Sequence, residues 1–266
     1  MGTRARGRLL AAVAVLAAAA GCGPGQPDPP VPAVPAFATT EARVVVTDDR
    51  TFPVNLLFLA DEDDPIWTDV SAVVLSPDLE VSGFTVEAGD VTDRGRLGNL
   101  TLGVVPPATA VTATDVIVVL GDGTSRAYPI GAWGLAAAPE PAGRLLDVTE
   151  YVLAYPGTDH LEIVAENVSG DPVEVRSVDL GLTSLVVAEV TVDGQVLREG
   201  EGVSIPGGGQ ASVVVRLTDD GGHDLYVTSP SVTVTGPDGQ VRRQLFDPTL
   251  LGWTDLTDDR LAAFAQ

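Results

Sequence analysis

The chain has 266 residues, 15 basic and 37 acidic side chains, and a formal net charge of −22 at pH 7. That acidity argues against direct binding of nucleic acid or anionic lipid headgroups, because both need a basic surface. All the basic residues are arginine, which excludes Schiff-base and phosphate-loop lysines, and the single cysteine excludes an intramolecular disulfide.

The N-terminus has the pattern of an export signal. Arg4, Arg6 and Arg8 form a basic region, and residues 9–20 are an uninterrupted apolar run. At about a dozen residues this run has the length of a signal-peptide core and is too short to span a bilayer. The only cysteine, Cys22, follows two residues later. Residues 1–21 are therefore predicted to be a signal peptide.

The four residues Ala19-Ala20-Gly21-Cys22 resemble the lipobox of bacterial lipoprotein precursors. The family usually has leucine where this chain has Ala19. The resemblance implies that Cys22 is acylated with fatty acids such as palmitate, becomes the mature N-terminus, and anchors the protein in the cell membrane on its extracytoplasmic face. Two or three acyl chains give stable anchoring. The alternative is an ordinary secretory signal cleaved at an Ala-x-Ala site, in which Cys22 has no role.

Residues 22–40 are predicted to be the lipidated cysteine followed by a disordered linker. The segment is rich in proline and has no hydrophobic period, which is typical of a semi-rigid polyproline II spacer. The abundance of arginine, alanine, valine and glycine, without lysine, is typical of a high-GC bacterial genome, so an actinobacterial source is expected.

From residue 41 onward, short apolar and alternating runs recur between turn residues, which predicts an all-β fold. We predict two tandem immunoglobulin-like β-sandwich domains, at 41–138 and 139–248, with the boundary in the small-residue stretch 134–143. The predicted strands are 43–47, 52–60, 70–75, 79–87, 97–104, 115–120, 125–130, 160–166, 173–180, 185–192, 211–218, 225–228, 232–235 and 240–246. Residues 192–195, with Asp193-Gly194 at the centre, predict a two-residue hairpin.

The two halves have a feature in common. Each half contains a strand that enters an Asp-Gly turn, so the halves are either a duplication or merely two valine-rich sandwiches.

The segment 167–170, with the later Pro-Gly turn at 206–207, resembles bacterial surface immunoglobulin-like modules, in which an asparagine turn joins two early strands and a Pro-Gly turn precedes a late edge strand. This resemblance implies the fold and not the function. Residues 249–266 are expected to be a tail, with a short helix from Thr257 onward.

No recognisable catalytic set is present. The two histidines, His160 and His223, lie far apart in the sequence, and no serine has the sequence context of a nucleophile elbow. The acidic runs are read as solvated loops, with calcium binding as the alternative. These runs are Asp61, Glu62, Asp63 and Asp64, and Asp219, Asp220 and Asp224.

Trp67, Trp133 and Trp253 are each expected to fill a sandwich core or the seam between the domains, with a carbohydrate or partner contact at Trp67 as the alternative. We therefore expect a non-enzymatic, membrane-anchored envelope lipoprotein without a cofactor, which presents two β-sandwiches for protein–protein interaction. The alternative is a surface lipoprotein that binds calcium, a glycan or a small solute.

Overall fold

The computed structural model describes residues 35–47, 51–77, 79–92, 94–139, 143–150 and 152–252. Within these ranges the chain consists of β-strands, loops and one 3₁₀ turn, Pro65–Trp67, which confirms the all-β class. None of the described residues forms a helix with the length and hydrophobicity of a membrane span. Cys22, Trp253 and the helix expected from Thr257 onward lie outside the described residues.

The strands of the first half are β1 (Ala36–Phe37), β2 (Thr40–Val46), β3 (Phe52–Ala60), β4 (Val70–Ser76), β5 (Val81–Thr92), β6 (Gly95–Val104), β7 (Val111–Leu120) and β8 (Ser125–Ala137). Those of the second half are β9 (Leu146–Glu150), β10 (Ala154–Tyr155), β11 (His160–Asn167), β12 (Val173–Asp179), β13 (Leu185–Val192), β14 (Gln195–Val196), β15 (Val203–Ile205), β16 (Gln210–Asp219), β17 (Leu225–Thr228), β18 (Ser231–Thr235), β19 (Val241–Leu245) and β20 (Thr249–Leu251).

The predicted hairpin in the second half is confirmed. Val192 pairs with Gln195, and the two residues between them have positive φ angles, 48° at Asp193 and 76° at Gly194. Positive φ at both central residues is the requirement of a type I′ turn, which matches the twist of the flanking strands. The Asp-Gly sequence therefore determines this turn locally.

The first half has the strand order of an immunoglobulin-like sandwich. One sheet has the order β1-β3-β6-β5, and β2-β8-β7-β4 form part of a seven-stranded sheet. If the strands from β3 to β8 are lettered B to G, the sheets contain B, E, D and G, F, C, which is the constant-type immunoglobulin arrangement. The first strand is split, because β1 pairs with β3 and β2 pairs with β8.

The second half repeats this order. One sheet has the order β14-β13-β16-β11-β9 and the other β15-β12-β18-β19. With β9 as A, these sheets read D, E, B, A and C, F, G. A common strand order is what a duplication requires, so this observation agrees with that hypothesis. One detail of the predicted resemblance is wrong, because β16, which follows the Pro-Gly turn, lies inside its sheet and not at an edge.

The two halves are joined by a continuous sheet. Four strands form one long two-stranded ribbon, in which β17 continues into β18 and β19 continues into β20. Within it β17 pairs with β20, and β18 pairs with β19. The ribbon is interrupted at Pro230, so β18 and β19 stay in the second sandwich while β17 and β20 join the sheet of the first. There β17 runs parallel to β2, and the seven-stranded sheet has the order β10-β20-β17-β2-β8-β7-β4.

The β17–β20 ribbon is a shared wall between two hydrophobic cores. Val227 and Leu250 pack into the core of the first half, whereas Tyr226 and Leu251 pack into the core of the second. Successive side chains of a strand point to opposite faces, so each face of this ribbon serves a different core. The halves are consequently coupled by backbone pairing and by packing.

Several residues outside the predicted strands are ordered because of this arrangement. Ala36 and Phe37, which belong to the predicted disordered linker, form β1. Phe37 is buried, and its ring centroid lies 5.2 Å from that of Phe58. The stretch 134–143 begins as strand, since β8 continues to Ala137 and pairs with β2. The predicted tail also begins as a strand, β20, at Thr249.

Candidate functional site

The acidic run 61–64 forms a hydrogen-bonded turn. The Asp64 carboxylate accepts a hydrogen bond from the amide of Ile66 (2.8 Å) and thereby caps the 3₁₀ turn. The carbonyl of Asp61 accepts one from the indole of Trp67 (2.6 Å), and Glu62 lies 3.5 Å from Arg96. These contacts show that the acidic run stabilises the 3₁₀ turn Pro65–Trp67.

The second acidic group is built into the loop between β16 and β17. The carboxylate of Asp219 accepts a hydrogen bond from the Tyr226 hydroxyl, and Asp224 accepts two from Thr39. Asp220 accepts one from a backbone amide two residues later. Burial, together with Asp219, raises the pKa of Tyr226. In the described part of the chain no group of three or more His, Cys, Asp and Glu side chains is arranged to hold a metal ion.

The histidines lie in separate places with different partners. The Nδ1 atom of His160 lies 2.9 Å from Asp159 on the surface, and the hydrogen bond lowers the pKa of that carboxyl. The Nδ1 atom of His223 lies 3.4 Å from the Ser184 hydroxyl, beyond the usual 2.6–3.2 Å of a nucleophile–base pair. Ser184 belongs to the junction described below.

The tryptophans that the structure describes are packed inside the first half. Trp67 is half-buried and stacks on Phe58, with ring centroids 4.9 Å apart. Trp133 is 2% exposed within the first core, and its indole N–H has no hydrogen-bond partner among the described residues. The core interpretation of Trp67 and Trp133 therefore agrees with their positions.

The junction between the halves contains a buried carboxylate that the sequence analysis missed. Glu41, at 7% exposure, accepts hydrogen bonds from the amide and hydroxyl of Thr183 (2.6 and 2.7 Å) and from the amide of Ser184 (2.9 Å). Burial raises the pKa of Glu41, but these hydrogen bonds lower it by more, so the net pKa lies below the usual value. Glu41 thus links β2 to the loop before β13.

An apolar surface formed by three neighbouring strands lies on the outer face of β4, β7 and β8. In these strands the side chains that enter the core alternate with side chains that point away from it. The outward apolar residues, here called the apolar strip, are Ala72, Val74, Ile117, Val119, Ala127 and Pro129. The register places Ile117 between Val74 and Ala127, and the Val74 side chain is 43% exposed.

Charged residues lie around the strip. Asp115 lies two residues before Ile117 on the outer face of β7, between Ser76 and Pro129 of the neighbouring strands. At the opposite end, the exposed residues Asp69 and Asp122 lie in the turns that precede β4 and follow β7. The exposed Arg126 directly precedes Ala127 on β8. The arrangement is an apolar centre with a mainly acidic rim, and it suits contact with another protein surface.

The sequence pattern does not indicate the strip, because the strands that form it are apolar on both faces. The run Ala72-Val73-Val74-Leu75 has no polar alternation, and such a run is typical of a strand buried on both sides. A continuous apolar strand in an otherwise very acidic chain was the available signal. Only the topology shows that β4 is at an edge and that its outer face is uncovered.

The chain matches no protein-family model and no curated protein. Among solved structures it is similar to a protein of unknown function from Porphyromonas gingivalis W83, with 16% identity over 83% of this chain and 97% of that chain and a TM-score of 0.26. It is also similar to fibronectin(III)-like modules of Clostridium thermocellum CbhA, with 14% identity over 82% and 92% and a TM-score of 0.21.

A third similar structure is the collagen binding domain of Erysipelothrix rhusiopathiae surface protein RspB, with 12% identity over 84% of this chain and 97% of that chain and a TM-score of 0.22. At these values the similarities identify no family. The strand order itself defines the class, which is a chain of immunoglobulin-like β-sandwiches.

Proposed function

We propose that the protein is a lipid-anchored envelope protein that binds a protein partner through the apolar strip. The observation that carries this proposal is the strip itself, an uncharged apolar face on a chain of net charge −22. Exposed apolar patches rimmed by polar residues commonly mark protein interaction sites. Because the rim is acidic, the complementary surface is an apolar patch flanked by arginine or lysine.

The pairing of β2 with both halves is consistent with attachment of the whole protein through one N-terminal anchor. The N-terminal segment enters the fold at β1 and continues into β2, which pairs with both β8 and β17. A single anchor at Cys22 would therefore carry both sandwiches, because β2 pairs with a strand of each half.

Replacing Val74 with glutamate is expected to reduce partner binding about tenfold or more, because a charge at the centre of the strip must be desolvated in the complex. The measurement is photo-crosslinking in the producing cell from a benzophenone side chain placed at Ala127, with the adduct quantified by immunoblot. The matched control is Val186→Glu, since Val186 is a 58% exposed valine on β13 in the second half. Equal adduct yield in Val74→Glu and the control would contradict the proposal.

The lipid anchor is tested by mass spectrometry of the mature protein. The mature chain is expected to begin at Cys22 and to carry the mass of its acyl chains. Cys22→Ala is expected to leave an uncleaved precursor or to release the protein into the medium, because no acyl group can then form on that residue. A mature form that begins at another residue, or that lacks acyl chains, would contradict the anchor and leave the strip hypothesis standing.

A further inference from the structure

We infer that β4 is a strand-accepting edge, to which an extended segment of the partner with an uncharged centre adds as a further strand of the seven-stranded sheet. This inference rests on the proposed function and names the form that the partner takes. Addition of a strand supplies main-chain hydrogen bonds for affinity and side-chain contacts on alternate residues for specificity.

The strand β4 differs from the other long edge strands in having no charged residue. Natural proteins usually protect edge strands with charged residues, prolines or bulges, because an open edge invites pairing with another chain. The register of β4 shifts between Val70 and Ala72, so the regular part of its edge begins at Ala72. In the described part of the chain, the other edge strands of at least five residues all contain charged residues, whereas β4 (Val70–Ser76) contains none. These charged residues are Glu87 and Asp90 in β5, Asp147 and Glu150 in β9, Glu189 in the outer part of β13, and Arg242 and Arg243 in β19.

The backbone geometry shows which groups of β4 point outward. The carbonyl of Leu75 accepts a hydrogen bond from the amide of Leu79 (3.4 Å), on the side away from β7. In an antiparallel strand the N–H and C=O of one residue point to the same side, and this side alternates along the chain. Val73 therefore presents its N–H and C=O at the edge, whereas Leu75 is already paired on that side with Leu79. The N–H and C=O of Val73 are the groups to which an added strand would bond.

The edge is continuous with the apolar strip. Ala72 and Val74 belong to the strip, and the side chain of Val73 between them points into the core. A strand added to β4 would place alternate side chains beside Val74 and so extend the strip by one strand. The edge and the strip thus form one surface for one partner.

The same geometry specifies the chemistry of the partner segment. Its central residues must be uncharged and β-forming, with apolar side chains on the strip face. Its ends favour arginine or lysine, because the exposed carboxylate of Asp69 lies at one end of β4 and Asp115 pairs with Ser76 at the other. A second copy of this chain would instead bring another net charge of −22 to the interface.

The test uses the mature full-length protein and a synthetic peptide of defined sequence, acetyl-Arg-Val-Thr-Val-Thr-Val-Arg-amide. Amide hydrogen exchange resolved to single residues is measured with and without the peptide. The expected result is slower exchange at Val73, saturable with peptide concentration. A peptide with N-methyl groups on alternate residues is expected to give no protection, because it cannot form the ladder of hydrogen bonds.

Two variants make the test specific to β4. Ala72→Lys places a charge at the edge and is expected to weaken peptide binding about tenfold or more, by the device that natural edges use. Val186→Lys on β13 is the matched control and is expected to leave the affinity unchanged. Protection confined to β5 or β13, or no protection at Val73, would overturn the inference. Protection of Val73 that rises with protein concentration without peptide would overturn it in favour of a second copy.

This experiment is independent of the test of the proposed function. If the peptide fails to bind while Val74→Glu still lowers crosslinking, the strand-accepting edge is wrong and the binding strip stands. If the peptide binds while Val74→Glu has no effect in cells, the edge is open but the proposed function fails.

Discussion

Replacing Asn167 with alanine is expected to lower the free energy of unfolding by about 3 kcal/mol, because it removes a buried side chain that hydrogen-bonds one buried and two partly buried backbone carbonyls. Asn167 is fully buried, and its amide nitrogen donates to the carbonyls of Asp171, Ile205 and Pro206 at 2.9–3.0 Å. Its oxygen accepts hydrogen bonds from the amide and hydroxyl of Ser169. One side chain thus ties the turn between β11 and β12 to the turn before β16.

The measurement is thermal and urea unfolding followed by circular dichroism. For a chain of this size, about 3 kcal/mol corresponds to a decrease in Tm of roughly 6–12 °C. Ser169→Ala is the control, and it is expected to cost only about 1 kcal/mol because the other contacts of Asn167 remain. Asn167→Asp is expected to cost at least as much as alanine at pH 7, since a carboxylate would face three carbonyl oxygens. A decrease in Tm below about 2 °C for Asn167→Ala would contradict this account of the turn.

Replacing Glu41 with alanine is expected to weaken the junction by about 3 kcal/mol and to uncouple the unfolding of the two halves. The substitution leaves the partly buried amides of Thr183 and Ser184 without their charged acceptor. The measurement is native-state hydrogen exchange. In the unmodified chain, the slowest amides of β6 and β16 are expected to exchange with the same free energy, because β2 and the β17–β20 ribbon join the halves.

In the Glu41→Ala variant those two sets of amides are expected to exchange with different free energies. Thr183→Val is the control, because it removes the hydroxyl donor but keeps the backbone amide, and it is expected to cost about 1 kcal/mol. If β6 and β16 continue to exchange with one free energy in Glu41→Ala, the buried carboxylate does not couple the halves.

The same residue predicts a pH dependence with a defined sign. The folded-state pKa of Glu41 lies below its ordinary value of 4.5. Its contribution to stability is therefore complete above about pH 4.5 and is lost as the pH falls through the lowered folded-state pKa. In Glu41→Gln this part of the pH dependence is expected to disappear, as measured by urea midpoints between pH 3 and 7. An unchanged slope in that variant would show that other carboxyls dominate.

The sequence predicted the parts of the fold that depend on neighbouring residues. Strands β3, β13 and β17 were predicted with the observed bounds, and the Asp193-Gly194 hairpin was predicted with its register. Alternation of side chains and the turn conformation are local properties, so a short stretch determines them. The shortest strands, such as β1 and β10, were missed because two residues contain no period.

The candidate site could not be predicted in the same way. Glu41 reads as a solvated acidic residue at the end of a linker, and its burial depends on Thr183 and Ser184, more than 140 positions away. The apolar strip combines residues of β4, β7 and β8, which read as buried strands. Only the sheet order makes β4 an edge and leaves that face uncovered.

The sequence by itself therefore determined the β class, the strand positions, the hairpin turn and the signal-like N-terminus, because each depends on the composition or conformation of adjacent residues. The tertiary structure alone decided that β2 pairs with both halves, that Pro230 divides one ribbon between two sandwiches, and that β4 lies at the edge of its sheet. The physical reason is that pairing partners are chosen by contacts between residues such as Thr39 and Asp224, which are 185 positions apart. A local pattern carries no information about such contacts.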